Sequence, residues 1–202
     1  FPGSFVRQLA RDEASDATGL DLPRGGLWLP GCDALDPSTL ASAWLATPGV
    51  ALRCGAAVAT LEAANGNWVA RDTAGRALGE AAVAIAGMGS FAVRRVRGQS
   101  TLVERERIGA LRAVLGGDAY AAPLGDAILV GASFDDGASL EPSAEVDAGN
   151  LGRLARMIGG DPRDWLVGAR SGPVGHRYAS TDRMPAIGAL PDEPTALREA
   201  AA

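Results

Sequence analysis

The 202 residues carry 24 acidic against 19 basic side chains, a net charge of −5, and every basic residue is arginine, so neither an internal Schiff base of the pyridoxal type nor a P-loop can be built here. The acidic balance argues against strong nucleic-acid binding by this chain alone and leaves only a local basic patch as a route to phosphate. Hydrophobic residues make up 47% and aromatics 5%, which implies a core of small aliphatic side chains, and no run of eighteen apolar residues suggests a membrane span.

The opening FPGSFVRQLARDE has neither a signal peptide's basic flank and apolar run nor an initiator Met, which predicts a cut piece of a longer cytoplasmic protein. VRQLARDEASDATG has helical periodicity and breaks at Gly19. GGLWLPGCDALDPSTLASAWLAT reads as a short strand, a turn and a helix, with Asp36 as N-cap, Pro37 in the first helical position and Pro48-Gly49 as the stop. VALRCGAAVATLEAA predicts a strand pair or one bent strand, and NWVARDT a strand between tight turns. AAVAIAGMG, a continuous small apolar run, predicts a buried central strand. VRGQSTLVE predicts another strand, RIGALRAVLGG a short helix, and AYAAPLGDAILVGASFD a hairpin turning at Leu124-Gly125-Asp126. SAEVDAGNLGRLARMIGG is amphipathic, with Val146, Leu151, Leu154 and Met157 or Ile158 near one face. Hairpins with a few helices predict an α+β fold on a mixed, largely antiparallel sheet with flanking helices.

Candidate chemistry is sparse. No G-x-G-x-x-G follows a first strand and no G-x-S-x-G elbow occurs. Cys32 and Cys54 with one histidine make no zinc site, and both read as buried small hydrophobes in a reducing cytosol. The polar side chains gather in HRYASTDRMPAIGALPDEP, residues 176–194. His176, beside Arg177, reads as a structural or surface histidine. Arg177 is either a surface arginine paired with Asp182 or a carboxylate clamp. Arg94, Arg95 and Arg97 are either a phosphate-contacting patch or a charged strand edge that resists aggregation. Trp28, Trp44, Trp68 and Trp165 are spaced as core or flank residues.

In order, GLWLPGCDALDPSTLASAWL, ANGNWVARDTAGRALGEAAVAIAGMGS, RGQ, DAYAAPLGDAILVGASFD and RYASTDRMPAIGALPD resemble the FAD-dependent oxidoreductases of the D-amino-acid oxidase and glycine oxidase superfamily. More narrowly, they resemble the C-terminal oxidoreductase domain of the bifunctional tRNA-modifying MnmC proteins. The resemblance implies a fragment: an N-terminal helical segment at 1–19, a substrate-side domain with partial FAD-binding strands at 20–194, and a tail at 195–202. The FAD-binding half is incomplete, because the dinucleotide fingerprint expected before these residues, the glycine-rich segment expected after residue 194 and a fused methyltransferase domain are not in this sequence. The family's GGW after the Pro turn is GCD here. The implied activity is removal of the carboxymethyl group from 5-carboxymethylaminomethyl-(2-thio)uridine at the tRNA wobble position, with FAD held by the full-length protein rather than by this piece and tRNA as substrate. A flavin amine oxidase acting on glycine, sarcosine or a D-amino acid is the nearer alternative, and a non-catalytic β-rich binding domain the more distant one. By position in the motifs, Arg177 is implied as the carboxylate clamp and Tyr120 as a substrate-pocket tyrosine. Val58 on a strand near adenine, Ala86, Gly87 and Met88 at a strand end passing the cofactor, and Gly188 in a turn beside the flavin are implied cofactor contacts.

Overall fold

A computed structural model describes residues 2–87, 94–180 and 188. The chain divides into two compact units, residues 1–33 with 89–202 and residues 34–88.

The first unit opens with strand β1 (Arg7–Leu9), helix α1 (Arg11–Thr18) and strand β2 (Gly26–Trp28), and β1 and β2 pair antiparallel. The Glu13 carboxylate accepts the Ala10 N–H at 2.8 Å and stabilises the start of α1. Gly19, at φ 78°, closes the helix in the left-handed conformation that glycine adopts freely.

The second unit contains helix α2 (Pro37–Leu45) and strands β3 (Thr60–Ala64), β4 (Asn67–Arg71) and β5 (Ala77–Ala81), the strands forming an antiparallel sheet in that order. Asp36 caps α2 by accepting the Ser38 N–H at 2.9 Å, and Pro37 follows as expected. Asn65 and Gly66 turn β3 into β4 with φ of 52° and 81°. Two expectations fail in this unit. Residues 50–59 are irregular, so strand structure begins only at Thr60. Residues 83–87 are irregular as well, with Val83 73% and Ile85 92% exposed, where a buried central strand was expected. A fully buried strand needs a hydrogen-bonded neighbour on each side. Among the described residues the only partner of β5 is β4, and nothing pairs with 83–87. Cys32 and Cys54 are free and exposed, not buried. Of the tryptophans only Trp165 is buried, and Trp44 is 66% exposed.

The first unit resumes with β6 (Arg94–Glu104), α3 (Arg105–Ile108), β7 (Leu115–Gly116), β8 (Tyr120–Leu124), β9 (Ala127–Gly131), α4 (Ala144–Ile158), α5 (Pro162–Leu166) and β10 (Arg170–Ala179). Five of these strands form one antiparallel sheet in the order β10-β6-β9-β8-β7. The β8–β9 hairpin turns at Gly125, φ 59°, as its sequence predicts. Opposed residues in paired strands share a face and neighbours alternate, so the register sorts the side chains. Thr101 opposes Val130, Val103 opposes Ile128, and Ala121 opposes Val130. This rear face packs on Leu151 and Leu154 of α4, with Trp165, Leu111, Leu20 and Leu22 completing the core. The face of α4 foreseen from its periodicity is therefore the buried one. The two core leucines, fully buried, contribute on the order of 2 kcal/mol each.

Candidate functional site

The front of the same sheet follows from the same register. Arg177 opposes Val96, Gly175 opposes Gly98, Leu102 opposes Leu129, and Tyr120 opposes Gly131. Arg177 and Tyr120, picked out separately in the sequence, therefore stand on one face, on β10 and β8. Their strands lie three spacings apart, about 14 Å. They share the face without touching. Glycines pave the ground between them. A Cβ built on Gly175 would meet nothing within 4 Å, whereas one on Gly131 would lie 2.6 Å from the Tyr120 hydroxyl oxygen. The missing side chain at 131 is what lets the tyrosine ring cross over β9.

Arg177 is exposed, and its guanidinium carbon sits 4.6 Å from the centre of the Phe134 ring, within cation–π range. Among the described residues no carboxylate stands within ion-pair distance of Arg177. Asp182, its expected surface partner, lies outside the described residues.

The strand segment Arg97-Gly98-Gln99-Ser100-Thr101 serves both faces. Gly98 and Ser100 belong to the front. Arg97, Gln99 and Thr101 point to the rear and are buried. Arg97 is 5% exposed and is neither a phosphate-contacting patch nor a solvated edge. It donates to the carbonyls of Ser139 and Glu141, both at 2.7 Å, to Gln99 Oε1 at 3.0 Å and to the Asp135 carboxylate at 3.3 Å. Gln99 Nε2 and Thr101 Oγ1 donate to the Asp147 carboxylate at 3.0 and 2.6 Å, and the Ser171 hydroxyl joins them. Asn150 donates to the Gln99 carbonyl and to Thr101 Oγ1, each at 3.0 Å. This network ties α4 and the 135–143 loop to the back of the front-face strands, and among the described residues no buried side-chain nitrogen or oxygen lacks a partner.

His176 belongs to this support. Its Nε2 lies 3.0 Å from the Gly137 carbonyl, which can only accept, so this nitrogen carries the proton. The histidine is structural, as its sequence context suggested. Partial burial pushes the Asp135 carboxyl up, but the Gly137 N–H, the Ser133 hydroxyl and Arg97 outweigh it and hold the group below the usual carboxylate range. Arg94 pairs with Asp136 at 2.7 Å on the surface, and Arg95 is exposed. A separate cavity of about 180 Å³, lined by Leu9, Trp28, Val114 and Met157 among others, includes none of the front-face residues named above, and Arg24 is its only charged lining residue among the described ones.

The description of one protein family, FAD dependent oxidoreductase, matches residues 3–198. The chain belongs to the FAD dependent oxidoreductase family. Curated relatives agree. The chain is 34% identical to the tRNA 5-methylaminomethyl-2-thiouridine biosynthesis bifunctional protein MnmC of Paraburkholderia xenovorans (strain LB400), over 99% of this chain and 33% of that protein. It is likewise 34% identical to the protein of the same name from Burkholderia mallei (strain SAVP1), over 100% of this chain and 33% of that protein. The chain thus spans about a third of the length of the relatives it matches.

Four of the five positions implied for FAD belong to the second unit. Val58, 54% exposed, lies in irregular chain two residues before β3 rather than on a strand. Ala86 and Gly87, also in the second unit, are exposed, and a Cβ on Gly87 or on Gly188 would meet nothing within 4 Å. Met88 lies outside the described residues. Small exposed backbone admits a flat ring, but a pyrophosphate needs free N–H groups at a glycine-rich turn opening a helix. Among the described residues the longer helices offer none. α1 opens with Asp12 and Glu13, α2 is capped by Asp36, and α4 is capped by Ser143 with Glu145 and Asp147 behind it. The described residues do not fit the whole cofactor.

Sequence reasoning missed Phe134, the paired Gly98 and Gly175, and the polar back of β6. Phe134 stands in the GASFD segment already noted, but nothing in its spacing announces a contact 43 positions along the chain.

Proposed function

We propose that this chain is the substrate-side part of an FAD-dependent oxidoreductase that removes the carboxymethyl group from 5-carboxymethylaminomethyl-(2-thio)uridine at the tRNA wobble position. The observation that carries the reading is Arg177, an arginine without a carboxylate partner among the described residues, on a glycine-paved face shared with Tyr120. The names of the MnmC relatives supply the substrate class. In this reading Arg177 receives the substrate carboxylate through two parallel N–H bonds and fixes the adjacent methylene in orientation. The Tyr120 hydroxyl borders the same face at its other end. The glycine floor keeps side-chain bulk away from the amine. FAD, bound by the complete protein, supplies the two-electron chemistry.

The test begins with visible absorbance. The complete protein should carry flavin bands as purified, and the 202-residue chain alone should carry none. In the complete protein, Arg177→Met should lower kcat/KM for the carboxylated tRNA roughly 10- to 100-fold, the loss of charge-assisted hydrogen bonds. No flavin in the complete protein even after added FAD, or unaltered kinetics in the variant, would overturn the reading. Turnover of free glycine or sarcosine with indifference to tRNA would replace it with a small-amine oxidase.

A further inference from the structure

We infer that Phe134 is a positioning residue for substrate carboxylate, acting by holding the Arg177 guanidinium in place. The inference rests on the reading of Arg177 as the clamp. Arg177 stands on β10, which among the described residues is an edge strand of its sheet, and its side chain is exposed. A long, solvated arginine samples many rotamers, and ordering it on binding costs affinity. The ring of Phe134 removes much of that freedom. Its centre lies 4.6 Å from the guanidinium carbon, so the cation rests over the ring. A carboxylate is bound by the in-plane N–H edges, so a ring that holds the guanidinium by its face leaves those edges free for the substrate.

Phe134 is itself well held at its backbone and poorly buried at its side chain. On one side the Ser133 hydroxyl accepts the Gln99 N–H at 3.0 Å and donates to the Asp135 carboxylate at 3.1 Å. On the other, Asp135 and Arg97 exchange both backbone hydrogen bonds, at 2.8 and 3.1 Å. The ring projects to the front with 62% of the residue exposed, so it fills no core space. A large apolar side chain carried on a pinned backbone and left in solvent has its role in what it touches, and it touches the clamp.

The experiment uses the complete flavoprotein and compares Phe134→Leu, Phe134→Tyr and Arg177→Met. Phe134→Leu should raise KM for the carboxylated substrate about 3- to 30-fold, the span of cation–π contacts from exposed to desolvated sites, with a much smaller change in kcat. Inhibition by glycolate should weaken in parallel, while inhibition by glycolamide, which lacks the charge, should not change. Phe134→Tyr should restore the parent values, because its ring offers the same face. A KM unchanged in Phe134→Leu but raised in Arg177→Met would overturn the role of Phe134 and leave the proposed function standing. Equal losses toward glycolate and glycolamide would overturn it as well, since they mark general disruption. If Arg177→Met itself left KM and glycolate inhibition unaltered, the clamp and the inference would fall together.

Discussion

Replacing Arg97 separates two readings of the arginine cluster on β6. A surface arginine removed from a strand edge changes stability by no more than about 0.5 kcal/mol. The buried Arg97 makes four contacts, and the consequences of losing each differ. The Ser139 and Glu141 carbonyls belong to exposed residues and can take water. Gln99 Oε1 keeps the Ser143 N–H at 2.9 Å. The Asp135 side chain is 39% exposed and recovers part of its solvation, so its ion pair counts for less than a buried one. What remains is the anchoring of the 135–143 loop through a charged donor, with hydrogen bonds worth about 1.5–3 kcal/mol apiece before solvent compensation. Arg97→Met keeps most of the apolar stem. The expected loss is about 3 kcal/mol, the equivalent of one or two such charged hydrogen bonds left unmade. Urea unfolding of the purified protein reads it directly. With a slope near 2 kcal/mol per molar, the midpoint should fall by roughly 1.5 M. Arg94→Gln and Arg95→Gln, made alongside, should shift it by less than about 0.3 M. A shift for Arg97→Met as small as theirs would refute the buried placement and everything drawn from it.

Gly131→Ala should force the Tyr120 ring off β9, because the new methyl carbon would sit 2.6 Å from the hydroxyl oxygen; a cost of about 1–2 kcal/mol, removed in the Gly131→Ala/Tyr120→Ala double variant, is expected from calorimetry, and additive losses would count against the contact. Asp135 has a lowered carboxyl in the folded state, so its contribution to stability is complete above the ordinary carboxylate value near 3.9 and is lost as pH falls through the lowered one. The stability gap between the parent and Arg97→Met should therefore narrow below about pH 4, and a gap constant down to pH 2.5 would contradict the coupling. Asp161, held to about 2 by the Arg163 side chain and N–H, should show a carboxylate resonance that titrates well below the ordinary range. Neutralising Arg94 and Arg95 together should flatten the salt dependence of tRNA binding by the complete protein by up to two phosphate contacts; an unaltered slope would put the tRNA surface elsewhere.

The sequence disclosed those parts of the fold that are fixed locally. The Asp36–Pro37 helix start, the Asn65–Gly66 turn, the β8–β9 hairpin and the apolar face of α4 each depend on residues within a few positions of one another. Arg177 and Tyr120 were legible one at a time, through motif resemblance, but their common face depends on register across β10, β6, β9 and β8, which no local signal carries. Arg97 was misread for a related reason. Alternating arginines on a strand look the same whether one face meets water or a polar helix, and the partners that bury this one lie about 40 positions along the chain. Asp147 and Asn150 sit on the inner face of α4, where periodicity alone would put apolar residues, because they answer polar groups of β6. Residues 83–87 show the reverse case. Their composition suits a buried strand, but composition does not supply the neighbouring strand that buries it.

The hydrogen-bond ladder between β6 and β10 slips between Ser171 and Val174, across Gly172 and Pro173. Beyond that slip, His176 faces the rear and grips the Gly137 carbonyl, while Arg177 faces the front. The two are adjacent in the chain, and only the parity set at Gly172–Pro173 decides which goes where. Inserting or deleting one residue there would turn Arg177 to the rear and His176 to the front. A change of length at this irregularity therefore keeps the guanidinium in front only when it comes in steps of two.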